Sequence, residues 1–187
     1  MSVYALILCG GSGTRMGGAG NKTLLPVGGM PAIVRSVRAF EGLTDGAVLV
    51  TRAGEEALFS DTLAAYGLAV SAIVPGGADR QASALCGLRA LPADADIVLI
   101  HDGARPFVRR ETIAAVIDSV KAHGSGVAAV SARDTIKRAD SSGLVLETPD
   151  RATLYQVQTP QGFRVSELLA AHARAQGRYT DDAALME

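Results

Sequence analysis

The chain alternates short apolar runs with amphipathic stretches as far as about residue 131. Near-continuous apolar runs predict buried strands at 3–9, 46–51, 68–74, 96–101 and 126–131. Apolar residues at helical spacing predict helices at 32–41, 54–66, 80–91 and 110–123. The alternation predicts an α/β fold with a doubly wound, mostly parallel sheet.

The alternation breaks between about residues 133 and 155, where the chain becomes polar. Asp140-Ser141-Ser142-Gly143 has the composition of a turn between two strand-like runs at 135–138 and 144–147. This segment predicts a protruding β-arm on a single domain of residues 1–187. Because an exposed hairpin has unsatisfied strand edges, we expect it to pack against a second subunit, and a decorated loop is the alternative.

The most distinctive segment is a glycine-rich loop that follows the first predicted strand and carries Arg15 and Lys22. Glycines at 10, 11 and 13 let backbone N–H groups approach phosphate oxygens. The loop lacks the Lys-Ser/Thr ending of a P-loop and has one residue too many for the dinucleotide fingerprint. Fixed positive charge beside such a turn indicates a triphosphate site, and a purely structural turn is the alternative.

A second polar segment, 101–106, follows the strand predicted at 96–101, at the sheet edge where α/β proteins bind ligands. Asp102 is a candidate Mg²⁺ ligand or substrate clamp, and the alternative is a carboxylate that only pairs with Arg105. We interpret His101 as structural, because a phosphate nucleophile needs no strong base. Thr180-Asp181-Asp182 has the pattern of a helix N-cap.

Composition narrows the function classes. The 18 basic and 19 acidic residues give a net charge of −1, so nucleic acid has no electrostatic support as a partner. The two cysteines, Cys9 and Cys86, are too few for a disulfide scaffold and lack metal-ligand spacing. No apolar stretch approaches the ~18 residues of a membrane span, and the N-terminus lacks a signal peptide's basic segment. We therefore expect a cytoplasmic protein without membrane or nucleic-acid partners.

A set of short motifs runs in order along the whole chain. They are LCGGSGTRM at 8–16, Lys22, PGG at 75–77, RQAS at 80–83, HDGARP at 101–106, DTIK at 134–137, QTPQGF at 158–163 and TDDA at 180–183. Together they closely resemble the 2-C-methyl-D-erythritol 4-phosphate cytidylyltransferase family of the non-mevalonate isoprenoid pathway. The resemblance implies a Rossmann-like nucleotidyltransferase that joins CTP and 2-C-methyl-D-erythritol 4-phosphate, giving 4-diphosphocytidyl-2-C-methyl-D-erythritol and pyrophosphate.

The resemblance also implies roles for individual residues. Arg15 and Lys22 would be catalytic and neutralise charge at the α-phosphate, with Mg²⁺ bridging the triphosphate. Asp102 stays the candidate metal ligand because of its place at the end of a predicted strand. The predicted CTP contacts are Gly10, Gly11, Ser12, Gly13, Thr14, Gly77, Ala78, Ser83 and Asp102. The predicted contacts of the sugar-alcohol phosphate are Asp102, Arg105, Thr159 and Thr180, joined by Thr135 and Arg151 from the hairpin of the other subunit of a homodimer.

Three alternatives remain open. The family pattern continues past residue 183 into a further strand and helix with a lysine near the phosphates, whereas this sequence stops at Glu187. We expect those elements to be missing. The first alternative is therefore a nucleotide-binding module whose catalysis is impaired. A ribitol-5-phosphate cytidylyltransferase is the closest rival, although Lys137-Arg138 favours the methylerythritol substrate. A sugar-1-phosphate nucleotidylyltransferase shares the glycine loop but not the HDGARP string.

Overall fold

A computed structural model describes residues 1–11 and 20–187. Its strands are β1 (Ser2–Leu8), β2 (Pro26–Val27), β3 (Met30–Pro31), β4 (Gly46–Thr51), β5 (Ala72–Pro75), β6 (Ala95–Asp102), β7 (Ser125–Ser131), β8 (Arg138–Ala139), β9 (Val145–Glu147) and β10 (Tyr155–Arg164). Its α-helices are α1 (Ala32–Phe40), α2 (Glu56–Ala64), α3 (Arg80–Arg89), α4 (Arg110–His123), α5 (Val165–Arg174) and α6 (Asp182–Met186). Short 3-10 helices lie at Lys22–Leu24 and Arg151–Thr153.

Six strands form one mixed sheet in the order β5-β4-β1-β6-β10-β7. β1 pairs in parallel with β4 and β6, and β4 pairs in parallel with β5. β10 runs antiparallel between β6 and β7. The chain therefore winds from β1 out to β5 and then returns to the other side of β1. That reversal is a topological switch point, where the carboxyl ends of β1 and β6 leave a crevice for ligands.

Apolar side chains cover both faces of the sheet. On one face, α1, α2 and α4 pack through residues such as Phe40, Phe59 and Ile113. On the other face, α3, α5 and α6 pack through residues such as Leu88 and Leu168. Because the central strands are buried on both sides, they read as continuous apolar runs, and the predicted doubly wound sheet is confirmed.

The structure differs from the predicted elements in several places. No predicted strand or helix covers the short strands β2 and β3 or the helix α5, and two further differences have a local physical cause. The strand predicted at 68–74 lies at Ala72–Pro75, because Leu68 instead closes the end of α2. Its N–H donates to the Leu63 carbonyl at 3.0 Å, next to Gly67 at φ +71°. No predicted strand covers β10, which runs from Tyr155 through the cis Thr159-Pro160 bond to Arg164. Its polar residues and proline hide the strand pattern.

The polar segment after β7 contains an antiparallel hairpin of β8 and β9, outside the main sheet. Asp140 orders the turn, since its carboxylate accepts hydrogen bonds from the backbone N–H groups of Ser142 (2.9 Å) and Leu144 (3.0 Å). The side chains of Leu144 and Val145 are exposed. Among the helices of the described residues, none is both long and apolar enough to span a membrane.

Candidate active site

A cleft of about 1080 Å³ opens where β1, β5 and β6 end. It gathers residues that are far apart in the sequence. The predicted site residues that line it are Gly10, Gly11, Lys22, Gly77, Ala78, Ser83, Asp102, Arg105, Thr159 and Thr180. The predictions for Ser12, Gly13, Thr14 and Arg15 lie outside the described residues.

Two predicted residues are on the hairpin segment and not among those that line this cleft. Thr135 and Arg151 are both exposed. The Arg151 guanidinium donates a hydrogen bond to the Arg133 carbonyl at 2.8 Å, which holds it against its own segment. Within one chain, the structure therefore does not bring these two residues to the other site residues.

Asn21 anchors the segment that carries Lys22. Its buried amide donates to the Cys9 carbonyl at 2.7 Å and to a Glu55 carboxylate oxygen at 2.8 Å. Its carbonyl oxygen accepts from the Thr23 N–H at 3.2 Å and caps the short helix that Lys22 begins. Asn21 thus holds Lys22 beside the end of β1. Sequence reasoning missed Asn21, although a cap residue next to the predicted cation was a usable signal.

Cys9 at the end of β1 has no reactive character. Its side chain is 1% exposed, and burial raises the pKa of its thiol far above the ordinary range. A thiolate nucleophile is therefore disfavoured at this position.

The turn after β5 approaches the start of α3 too closely for side chains. A Cβ atom on Gly77 would lie 2.5 Å from the Ala82 Cβ, and one on Gly76 would lie 2.7 Å from the Ser83 hydroxyl. The Ser83 hydroxyl accepts from the Gly77 N–H at 3.1 Å and donates to the Asp79 carbonyl at 2.7 Å. Ser83 therefore shapes this turn and uses its proton within the protein.

Asp102 lies at the end of β6 between two arginines. The Arg105 Nε is 3.1 Å from one carboxylate oxygen, and the Arg80 Nε is 3.9 Å from the other. Arg80 also contacts Asp182 at 2.7 Å, and that carboxylate is only 2% exposed. Burial raises the pKa of Asp182, and the charge of Arg80 opposes this shift.

Sequence reasoning missed Arg80. A usable signal was its place in the first turn of α3, where the helix dipole disfavours a cation unless it has a partner.

His101 is fully buried behind Asp102. Its Nε2 is 3.1 Å from the Arg105 carbonyl oxygen, and its Nδ1 is 3.0 Å from the Thr159 hydroxyl. Burial lowers the pKa of His101 to about 4, so the ring is neutral near pH 7.

Gln161 joins β10 to the start of α6 by hydrogen bonds. This side chain, 1% exposed, donates to the Asp181 carboxylate at 2.8 Å and accepts from the N–H groups of Asp182 (3.2 Å) and Ala183 (3.1 Å). Asp181 in turn caps α6 through the Ala184 N–H at 3.0 Å, which confirms the predicted cap. Thr180 is placed at the cleft by this junction. A buried glutamine in an unrecognised strand gave no sequence signal.

The carboxylates of the cleft do not form a metal cage. No group of three or more His, Cys, Asp or Glu residues in the described parts of the chain could hold a metal ion. Asp79 and Asp181 cap helices, which leaves Asp102 as the cleft carboxylate that caps no helix. Mg²⁺ is commonly held by one or two carboxylates plus substrate phosphates. The residues therefore fit an ion that arrives with a triphosphate.

A mostly parallel sheet whose switch point carries a glycine turn and a lysine defines a nucleotide-binding α/β protein of the nucleotidyltransferase class. The family model for 2-C-methyl-D-erythritol 4-phosphate cytidylyltransferase matches residues 3–187. The chain belongs to this family, which confirms the resemblance of its ordered motifs.

Relatives and a solved structure agree with this assignment. The chain is 40% identical over 193 residues to the 2-C-methyl-D-erythritol 4-phosphate cytidylyltransferase of Desulforamulus reducens, covering 100% of this chain and 82% of that protein. It is 43% identical over 194 residues to the protein of the same name from Geobacillus kaustophilus, covering 100% and 84%. The 4-diphosphocytidyl-2C-methyl-D-erythritol synthase structure from Anaerococcus prevotii has a TM-score of 0.86 at 28% identity, covering 98% of this chain and 82% of that chain.

Proposed function

We propose that this chain transfers the cytidylyl group of CTP to the phosphate of 2-C-methyl-D-erythritol 4-phosphate and releases pyrophosphate. The observation that carries the proposal is the single cleft in which a glycine turn, Lys22, Asp102 and Arg105 meet. Membership of the family supports the same reaction and favours it over transfer to ribitol 5-phosphate.

CTP is bound by groups on both sides of the β1 end. The backbone around Gly11 and Gly77 approaches the nucleotide, because a turn without side chains leaves carbonyl and N–H groups accessible. The exocyclic amine of cytosine is a donor and needs carbonyl acceptors from such a turn. Lys22, together with Arg15, stabilises the negative charge that develops around the α-phosphate.

The transfer itself needs no base from the protein. An oxygen of the acceptor phosphate forms a bond to the α-phosphorus as the bond to the β-phosphate oxygen breaks, and pyrophosphate leaves with that electron pair. The nucleophile is already ionised near pH 7, so orientation and charge neutralisation supply the catalysis. His101 takes no proton in this scheme, since it is buried and its pKa is lowered.

Arg105 and Asp102 hold the acceptor, with Thr180 beside them. Their ion pair gives a fixed cation next to hydrogen-bond acceptors, which suits a polyol that carries a phosphate. Mg²⁺, when bound, would be held by Asp102 and would supply further charge neutralisation on the triphosphate.

We also propose that residues 1–187 form one domain with the hairpin as an arm, and that the arm completes the site of a second copy. Exposed apolar side chains support this, because Leu144 and Val145 of the arm and Val130 of the edge strand β7 are 68%, 59% and 45% exposed. Thr135 and Arg151 would then bind the acceptor phosphate of the partner's cleft. A cytoplasmic location stays a prediction from composition.

The first experiment measures pyrophosphate release from CTP and Mg²⁺ with either 2-C-methyl-D-erythritol 4-phosphate or ribitol 5-phosphate as acceptor. We expect turnover with the first and at most about 1% of that kcat/KM with the second, a difference of roughly 2.7 kcal/mol. Equal rates would overturn the substrate assignment. CTP binding without turnover would favour the impaired nucleotide-binding module.

The second experiment mixes Lys22→Ala and Arg151→Ala subunits. If Arg151 acts on the partner's cleft, each mixed dimer contains one intact site. Because Arg151→Ala acts mainly on the KM of the acceptor, the assay uses acceptor well below its KM, and a statistical mixture then regains about a quarter of the wild-type rate. If Arg151 acts within its own subunit, every site carries one lesion and activity is not regained. A Lys22→Ala mixture with Lys121→Ala, an exposed residue of α4, provides the matched control.

A further inference from the structure

The loop between Asp102 and Arg105 is hydrogen-bonded to α1 and to the end of β1. The Ser36 hydroxyl donates to the Gly103 carbonyl at 3.0 Å, and the Gly103 N–H donates to the Leu8 carbonyl at 3.0 Å. A Cβ on Gly103 would lie 2.7 Å from the Cys9 sulfur. The loop therefore sits on the end of β1 with little freedom, and His101 lies directly before it.

The hydrogen bonds of His101 define its tautomer. The Arg105 carbonyl oxygen can only accept, so the ring nitrogen 3.1 Å away, Nε2, must carry the proton. The neutral ring then accepts at Nδ1, and the Thr159 hydroxyl 3.0 Å away must donate to it. The same hydroxyl oxygen accepts from the Asp102 N–H at 3.2 Å.

We propose that His101 is a positioning residue for the transfer site, which holds the backbone of Arg105 directly and that of Asp102 through the Thr159 hydroxyl. These groups form a chain of three hydrogen bonds, which we call the relay: the Asp102 N–H donates to Thr159, Thr159 donates to the ring, and the ring donates to the Arg105 carbonyl. It connects β10 to the two charged residues that the proposed function assigns to the acceptor. Packing against Phe40, with ring centroids 5.2 Å apart, restricts the imidazole ring.

The relay gives Thr159 a narrower role than direct donation to a substrate. Its single hydroxyl proton is donated to His101. The hydroxyl can therefore only accept a hydrogen bond from the sugar-alcohol phosphate, and cannot donate one. Replacement of Thr159 by valine keeps the shape but leaves the imidazole Nδ1 and the Asp102 N–H without partners. An unpaired buried polar group is costly, so the loop should lose its fixed arrangement.

The first test observes the ring itself and does not depend on the proposed function. Histidine nitrogen–proton couplings in an NMR spectrum of the unmodified protein report which ring nitrogen is protonated. His101→Gln identifies the His101 signals, and His123→Gln, at an exposed residue of α4, is the matched control. We expect a neutral ring with the proton on Nε2. A proton on Nδ1 would overturn the inference and leave the proposed function intact.

The second test rests on the proposed function, because it measures kcat/KM for 2-C-methyl-D-erythritol 4-phosphate at saturating CTP. We expect Thr159→Val to lower this value about tenfold and Thr159→Ser, which keeps the hydroxyl, to lower it at most about threefold.

A double-mutant cycle separates positioning from general damage. In an Arg105→Ala background the Thr159→Val loss should shrink to about threefold or less, because the group it positions is already gone. In a Lys22→Ala background the loss should remain about tenfold. Equal losses in both backgrounds would overturn the inference. If Thr159→Val does not fold, the NMR spectrum of the His101 ring in the unmodified protein tests the inference. If the unmodified protein shows no turnover, only the proposed function is overturned.

Discussion

The polar side chains around the cleft and those of the hairpin differ in how far they are exposed to solvent. Around the cleft, Asn21, His101 and Gln161 are at most 4% exposed, and each is hydrogen-bonded within the chain. In the hairpin, Arg138 is 62% exposed and pairs with a half-exposed Glu147 on the facing strand. The cleft is therefore organised before any ligand arrives, whereas the ion pair of the hairpin stays open to solvent.

The largest expected effect comes from the cation at the centre of the cleft. Lys22→Ala should lower kcat about 100-fold, roughly 2.7 kcal/mol, because the proposed mechanism uses this charge to neutralise the transition state. Lys121→Ala, at an exposed lysine of α4, should leave kcat within about twofold. Steady-state pyrophosphate release measures both, and a similar kcat for the two variants would contradict the role of Lys22.

Two ion pairs of equal length test the difference between the buried and the exposed region. The closest N–O distance is 2.7 Å both for Arg80 with Asp182 and for Arg138 with Glu147, but only the first carboxylate is buried. Arg80→Gln should lower the free energy of unfolding by about 2–3 kcal/mol, since it leaves a buried carboxylate without its cation. Arg138→Gln should lower it by at most about 0.5 kcal/mol. Urea unfolding measures both, and equal losses would contradict the contrast.

Acid should weaken the fold through His101. Its pKa is about 4 in the folded chain and about 6.5 when unfolded, so the unfolded state binds more protons between these values. The contribution of the neutral His101 to the free energy of unfolding is therefore complete above about pH 6.5. It is lost as the pH falls towards 4, by about 2 kcal/mol between pH 7 and 5. Urea unfolding at both pH values should show a correspondingly smaller loss for His101→Gln. Equal losses in the two proteins would contradict the buried, neutral ring.

The smallest expected effect on the reaction comes from the hairpin. Arg151→Ala should raise the KM for the sugar-alcohol phosphate about tenfold, about 1.4 kcal/mol, because the proposed function gives Arg151 one charged contact with the acceptor phosphate. The KM for CTP should stay within about twofold, since the proposal assigns Arg151 to the acceptor phosphate and to no part of CTP. Initial rates with each substrate varied in turn measure both constants, and an equal rise in the two would contradict a role confined to the acceptor.

The site could be predicted where its residues follow strands. Gly10, Gly77 and Asp102 come directly after apolar runs, and parallel strands bring such ends to one edge of a sheet. Arg80, Asn21 and Gln161 were missed as site residues because their roles depend on partners distant in the sequence. For example, Arg80 meets Asp182 only after α3 and α6 have packed on the same face.

The alternation of apolar and amphipathic segments was enough to predict the doubly wound sheet and the edge at which the cleft opens. Periodicity and turn composition are local properties, and each segment carries them before the chain folds. Two features are visible only in the folded chain: β10 enters between β6 and β7, and His101 contacts both Thr159 and the Arg105 carbonyl. Those contacts depend on strand pairing and burial, which no local pattern encodes.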